Sequence, residues 1–65
     1  MTTTREIIRR LNSEGEATIL VDGARWFLSV EPFDILVETP TGEFSITHPV
    51  ELSEELDGRT VTMEG

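Results

Sequence analysis

From Glu16 to His48 apolar side chains recur at nearly every second position, broken by three groups of turn-forming residues. Alternation of this kind marks half-buried β-strands. Four are expected: E-A-T-I-L-V-D (16–22), A-R-W-F-L-S-V (24–30), F-D-I-L-V-E (33–38) and E-F-S-I-T-H (43–48). Asp22-Gly23 is the strongest short-range hairpin signal available, because a tight two-residue turn needs positive φ. Taken as the loop, it sets Val21 against Ala24, Ile19 against Trp26 and Ala17 against Leu28 on one face. Thr18 then meets Phe27 and Leu20 meets Arg25 on the other.

Glu31-Pro32 ends the second strand, since proline cannot donate to a ladder. A short loop there predicts Val30 opposite Phe33, Leu28 opposite Ile35 and Trp26 opposite Val37. At Thr39-Pro40-Thr41-Gly42 an odd loop would turn the apolar set of the fourth strand outward. An even loop of two or four residues is therefore expected, with Val37 against Ile46 and Thr39 against Phe44.

The flanking segments have a different period. Residues 3–13 read as a helix: Thr3 and Glu6 have capping-box spacing, and Ile7, Ile8 and Leu11 form one apolar stripe. Glu6 and Arg10 are a favourable i,i+4 pair, and Gly15 suits a left-handed cap. A helix this short needs docking to persist in water, and the sheet is the available surface. Residues 49–56 carry Val50, Leu52 and Leu56 among acids, with Ser53 suited to cap a single helical turn. After the Asp57-Gly58 turn, residues 59–64 predict a fifth strand with Val61 and Met63 inward, returning to pair at an edge of the sheet, either edge being left open by the sequence.

The expected fold is α+β: an N-terminal helix packed on one face of a four- to five-stranded antiparallel β-meander in a single domain, residues 1–65. The alternative is a small five-stranded β-barrel with the helix plugging one end. The inward set is Ala17, Ile19, Val21, Trp26, Leu28, Val30, Phe33, Ile35, Val37, Phe44, Ile46, Val61 and Met63. The segment A-T-I-L-V-D-G-A-R resembles a strand and turn of small ubiquitin-like modifiers. Their order is ββαβ, whereas here a helix leads, so the fold is read from the pattern alone.

Leu20, Phe27 and Leu36 break the pattern. They lie on the outward side of three adjacent strands, among Thr18, Arg25, Ser29, Asp34 and Glu38. Either Leu52, Leu56 or the fifth strand folds over them, or they form an apolar patch with a polar rim, the usual mark of an interface. Leu20, Phe27, Leu36 and Arg25 are the candidate interface residues.

Charge adds a second constraint. Thirteen acids face five bases, for a net charge of −8, and every base is arginine. Residues 1–12 carry three arginines against one glutamate, and the rest of the chain carries Arg25 and Arg59 against all the other acids. Arg5, Arg9 and Arg10 are expected to pair with sheet carboxylates. A sheet domain this acidic repels a phosphate backbone, so direct nucleic-acid binding is not expected. Acid-rich, lysine-free composition resembles that of proteins from extreme halophiles, in which carboxylates keep a surface hydrated in strong salt. The other reading of the acidity is a functional one, capture of a basic or nucleic-acid-binding protein by charge mimicry.

Chemistry has little to stand on. The chain has no cysteine or tyrosine and one histidine, so disulfides, thiolate zinc sites and a nucleophile–histidine pair have no support. His48 by itself makes no metal site. Glu51, Glu54, Glu55 and Asp57 lack the spacing of a calcium loop. Trp26 has inward parity and reads as core. No catalytic, cofactor-binding or metal-binding residue is assigned, and a non-enzymatic protein is expected. With no apolar run long enough for a membrane span and no signal-type N-terminus, the expectation is a cytoplasmic protein. Its partner would be another protein or a second copy of itself.

Overall fold

The computed structural model describes residues 3–64. The elements are α1 (Thr4–Glu14), β1 (Glu16–Val21), β2 (Ala24–Val30), β3 (Ile35–Thr39), β4 (Gly42–Ile46), α2 (Pro49–Leu56) and β5 (Val61–Glu64). The strands form one open antiparallel sheet in the order β4-β3-β2-β1-β5. The fold is the expected α+β arrangement, and the sheet is not closed into a barrel.

Helix α1 starts where the side chain of Thr3 accepts a hydrogen bond from the Glu6 amide at 3.3 Å. It stops at Gly15, which sits at φ +81° and donates its N–H to the Leu11 carbonyl at 2.8 Å. Ile7 and Leu11 are buried and Ile8 packs at the margin. The predicted partner of Arg10 was Glu6, but its guanidinium bonds Glu14 at 2.9 Å instead. No ion pair joins an arginine of α1 to the sheet among the described residues, so the expected pairing with sheet carboxylates is not formed.

The β1–β2 register matches the Asp22-Gly23 expectation at every position, from Val21↔Ala24 to Ala17↔Leu28. Asp22 and Gly23 both take positive φ, +52° and +86°. Asp22 also fastens the fifth strand: its N–H donates to the Thr60 carbonyl at 2.8 Å, and its Oδ1 accepts from the Thr60 amide at 2.9 Å. β5 accordingly pairs with β1.

One loop differs from expectation in length and the next in its strand partners, though neither differs in parity. Val30 pairs with Ile35, not Phe33, and Leu28 with Val37. Residues 31–34 form a four-residue loop closed by the Glu31 amide donating to the Asp34 carbonyl at 2.8 Å. Phe33, expected in the core, stands at the tip of this loop and is 93% exposed. Val30, also expected inside, ends its strand half exposed. The next loop is even, as expected, and has two residues: Thr39 pairs with Gly42, so only Pro40-Thr41 are unpaired, and Val37 meets Phe44 rather than Ile46. The Thr39 hydroxyl holds this turn, donating to the Gly42 carbonyl at 2.8 Å and accepting from the Thr41 amide at 3.3 Å.

The largest correction concerns residues 49–56. They form a two-turn helix rather than a single turn, and its cap is His48 rather than Ser53. His48 Nδ1 accepts from the Val50 amide at 3.2 Å, and Pro49 occupies the first turn, where its missing N–H costs nothing. The Glu51 carboxylate reaches back to the Thr47 amide and hydroxyl, at 3.3 and 2.9 Å. Leu52 and Leu56 do not cover the outward patch. They join Ile7, Leu11, Ile19, Leu28 and Val61 in one core. Both helices therefore lie on the same side of the sheet, tied also by Thr4 and Ser53, whose hydroxyls are 3.4 Å apart.

Candidate interaction face

Because both helices occupy one side, the other side of the sheet has no helix over it among the described residues. Its side chains follow directly from the register. Phe27 lies between Thr18 of β1 and Glu38 of β3, and Glu38 in turn faces Glu43 of β4. One step along, Ser29 lies between Glu16 and Leu36, and Leu36 faces Ser45. One step the other way, Leu20 lies between Arg25 and Thr62 of β5. Thr18 faces Glu64 at the β5 edge.

On this grid Leu20, Phe27 and Leu36 are diagonal neighbours on three consecutive strands. Diagonal neighbours on one face lie about 7–8 Å apart, within reach of long side chains. The three expected interface residues thus lie on one apolar diagonal, crossed between Leu20 and Phe27 by a side-chain pair, Arg25 and Glu64. Phe27, at its middle, is 36% exposed, while Leu20 and Leu36 are half-buried by their neighbours.

Carboxylates border the diagonal on both sides. Glu38 and Glu43 stand on one flank, Glu16 and Glu64 on the other. Arg25 is the face's one cation among the described residues, and it is committed: its Nε and Nη2 bond the two oxygens of Glu64 at 2.9 and 2.8 Å. This bidentate pair spans β1, since Arg25 is on β2 and Glu64 on β5. Glu16, Glu38 and Glu43 meet no cation within salt-bridge distance among the described residues. Like charges directly opposite each other are unfavourable, and Glu38 and Glu43 are such a pair. Asp34, expected on this face, lies in the loop before β3 instead.

The Glu38–Glu43 opposition depends on the two-residue form of the loop, whereas the strand partners expected, those of the four-residue form, would have put Glu38 against Ser45. The threonine-clamped turn was the signal for the shorter one. Arg25 was found as a face residue, but its partner on β5 needed the pairing of the last strand.

On the helix side, Trp26 is buried as expected. Its ring meets Phe44 edge-on, with centroids 6.0 Å apart at 86°, and the Arg59 guanidinium carbon lies 5.6 Å from the ring centroid. A shallow cleft of about 340 Å³ beside it is lined by Thr39, Glu43, Glu55 and Arg59 among others. Arg59 already covers the indole, and the remaining charged groups there, Glu43 and Glu55, are both acidic. Among the described residues no group of three histidine or acidic side chains is placed to hold a metal ion, and no helix is long and apolar enough to cross a membrane.

Comparison of the chain with protein-family models, curated proteins and solved structures finds no match.

Proposed function

We propose that this protein is a non-catalytic interaction module that binds protein through the outward face of β1, β2 and β3. The observation that carries this reading is the apolar diagonal Leu20–Phe27–Leu36 on the side of the sheet opposite both helices. An aromatic side chain about one-third exposed and framed by polar groups gains when a partner removes it from water. The remaining surface acids, such as Glu54, Glu55 and Asp57 on and after α2, suit a hydrated coat in strong salt. A melting series from dilute buffer to molar salt tests that part, and unchanged stability across the series rejects it.

Photo-crosslinking tests the module reading. A benzophenone side chain replaces Phe27 in one variant and Val50, exposed on α2, in another. Both are expressed in cells. Position 27 is expected to give discrete protein adducts, whether to a second copy or to another chain, that position 50 does not. The same adduct pattern from both positions, or none from position 27, overturns the reading.

A further inference from the structure

We propose that the occupant of the outward face is a cationic amphipathic helix rather than a second copy of this chain. This rests on the reading of the face as a protein-binding surface and specifies its partner.

The shape of the apolar diagonal sets the first requirement. Two diagonal steps give it a length of about 15 Å. A helix rises 1.5 Å per residue, so about ten or eleven residues cover that length. Apolar side chains at i, i+4, i+7 and i+11 form a stripe of this length along one helix face. A stripe one side chain wide matches a single helix of about 10–12 Å diameter.

Charge sets the second requirement and separates the candidates. A helix lying on Leu20, Phe27 and Leu36 has Glu38 and Glu43 along one side and Glu16 along the other, Glu64 being already held by Arg25. Lysine or arginine flanking the apolar stripe meets a carboxylate on each side. It also relieves the Glu38–Glu43 opposition, which nothing in the chain neutralises among the described residues. A second copy supplies the opposite. Packed face to face, it presents another Glu16, Glu38 and Glu43 and, as its one face cation, an Arg25 already bonded through both nitrogens to its own Glu64. Self-association would gather uncompensated carboxylates around a small apolar contact, in molecules that each carry a net charge of −8.

The probe is a fluorescein-labelled synthetic helix of about fifteen residues, with leucine at i, i+4, i+7 and i+11 and lysine at the flanking positions. Its binding to the full chain is followed by anisotropy. Saturable binding is expected, together with no binding of the same helix carrying glutamate for lysine. Phe27→Ser should weaken binding at least about tenfold, as should Glu16→Gln/Glu38→Gln/Glu43→Gln. Glu54→Gln/Glu55→Gln on α2 should leave it within about twofold, because exposed charges beyond a Debye length are screened. The triple glutamine variant keeps the apolar face and so stands as a test even if Phe27→Ser folds poorly. Equal losses for the face and α2 substitutions would reduce the contact to non-specific charge and overturn the proposal. So would a lysine helix that does not bind. Sedimentation separates the two readings. A dimer abolished by Phe27→Ser would reject the helix as occupant while keeping the face as an interface, whereas failure of crosslinking at position 27 rejects the interface itself.

Discussion

Leu52→Ala and Phe33→Ala together test the placement of α2 and of the loop before β3. Leu52 is fully buried between the helices and the sheet, and Phe33 is 93% exposed. Truncating a buried leucine costs about 2–5 kcal/mol, the larger values where the site cannot collapse. A chain of this length has a total stability of roughly 3–10 kcal/mol. Leu52→Ala therefore removes a large share of it. At about 4–8 °C per kcal/mol for a small domain, the melting temperature falls by about 8 °C or more. With a urea dependence of roughly 1 kcal/mol per molar for so small a protein, the midpoint falls by about 2 M or more. Phe33→Ala removes a side chain that touches little, and its cost stays within about 0.5 kcal/mol. Were Phe33 in the core, as its strand-like alternation suggests, its truncation would cost about 3–5 kcal/mol. Urea unfolding of both variants, followed by Trp26 fluorescence and by circular dichroism, gives the two numbers side by side. Equal destabilisation by the two, or a Leu52→Ala midpoint close to that of the unsubstituted protein, refutes the packing of α2 against the core.

Gly23→Ala places a Cβ at φ +86°, where no atom lies within 4 Å to clash with it; the cost is then backbone alone, about 1–2 kcal/mol, and a change in unfolding free energy near zero would contradict the turn. Glu43→Lys converts the opposed carboxylates of β3 and β4 into an ion pair, so thermal unfolding in dilute buffer should show a gain of about 0.2–1 kcal/mol. That gain should shrink in molar salt as the Debye length falls to about 3 Å, and a destabilised variant would place Glu38 and Glu43 on different registers.

How much of this was legible beforehand depends on what each signal can distinguish. Alternation has a period of two, so it assigns faces but cannot tell two loops that differ by two residues. For this reason Val37 and Ile46 were expected inside and are inside, while their partners shifted. Phe33 continued the alternation of β3 and was read into the strand, although the Glu31–Asp34 hydrogen bond leaves it in the loop. The interface candidates held their places on the face, because Leu20, Phe27 and Leu36 depend on parity alone. The acids that frame them depend on register, and there the expectation missed the Glu38–Glu43 pair.

The chain by itself determined those features whose causes lie within a few residues. They are the α1 helix between Thr3 and Gly15, the β1–β2 register set by Asp22-Gly23, and the face each strand residue occupies. Tertiary structure decided the side of the sheet that receives α2. An eight-residue amphipathic helix carries one apolar stripe and fits either face by pattern alone. The strand order settles it: the chain must travel from β4 at one edge to β5 at the other, and the side already holding Ile7 and Leu11 lets Leu52 and Leu56 complete a single core. The opposite side, with Phe27 at its centre, is left open to water as a consequence.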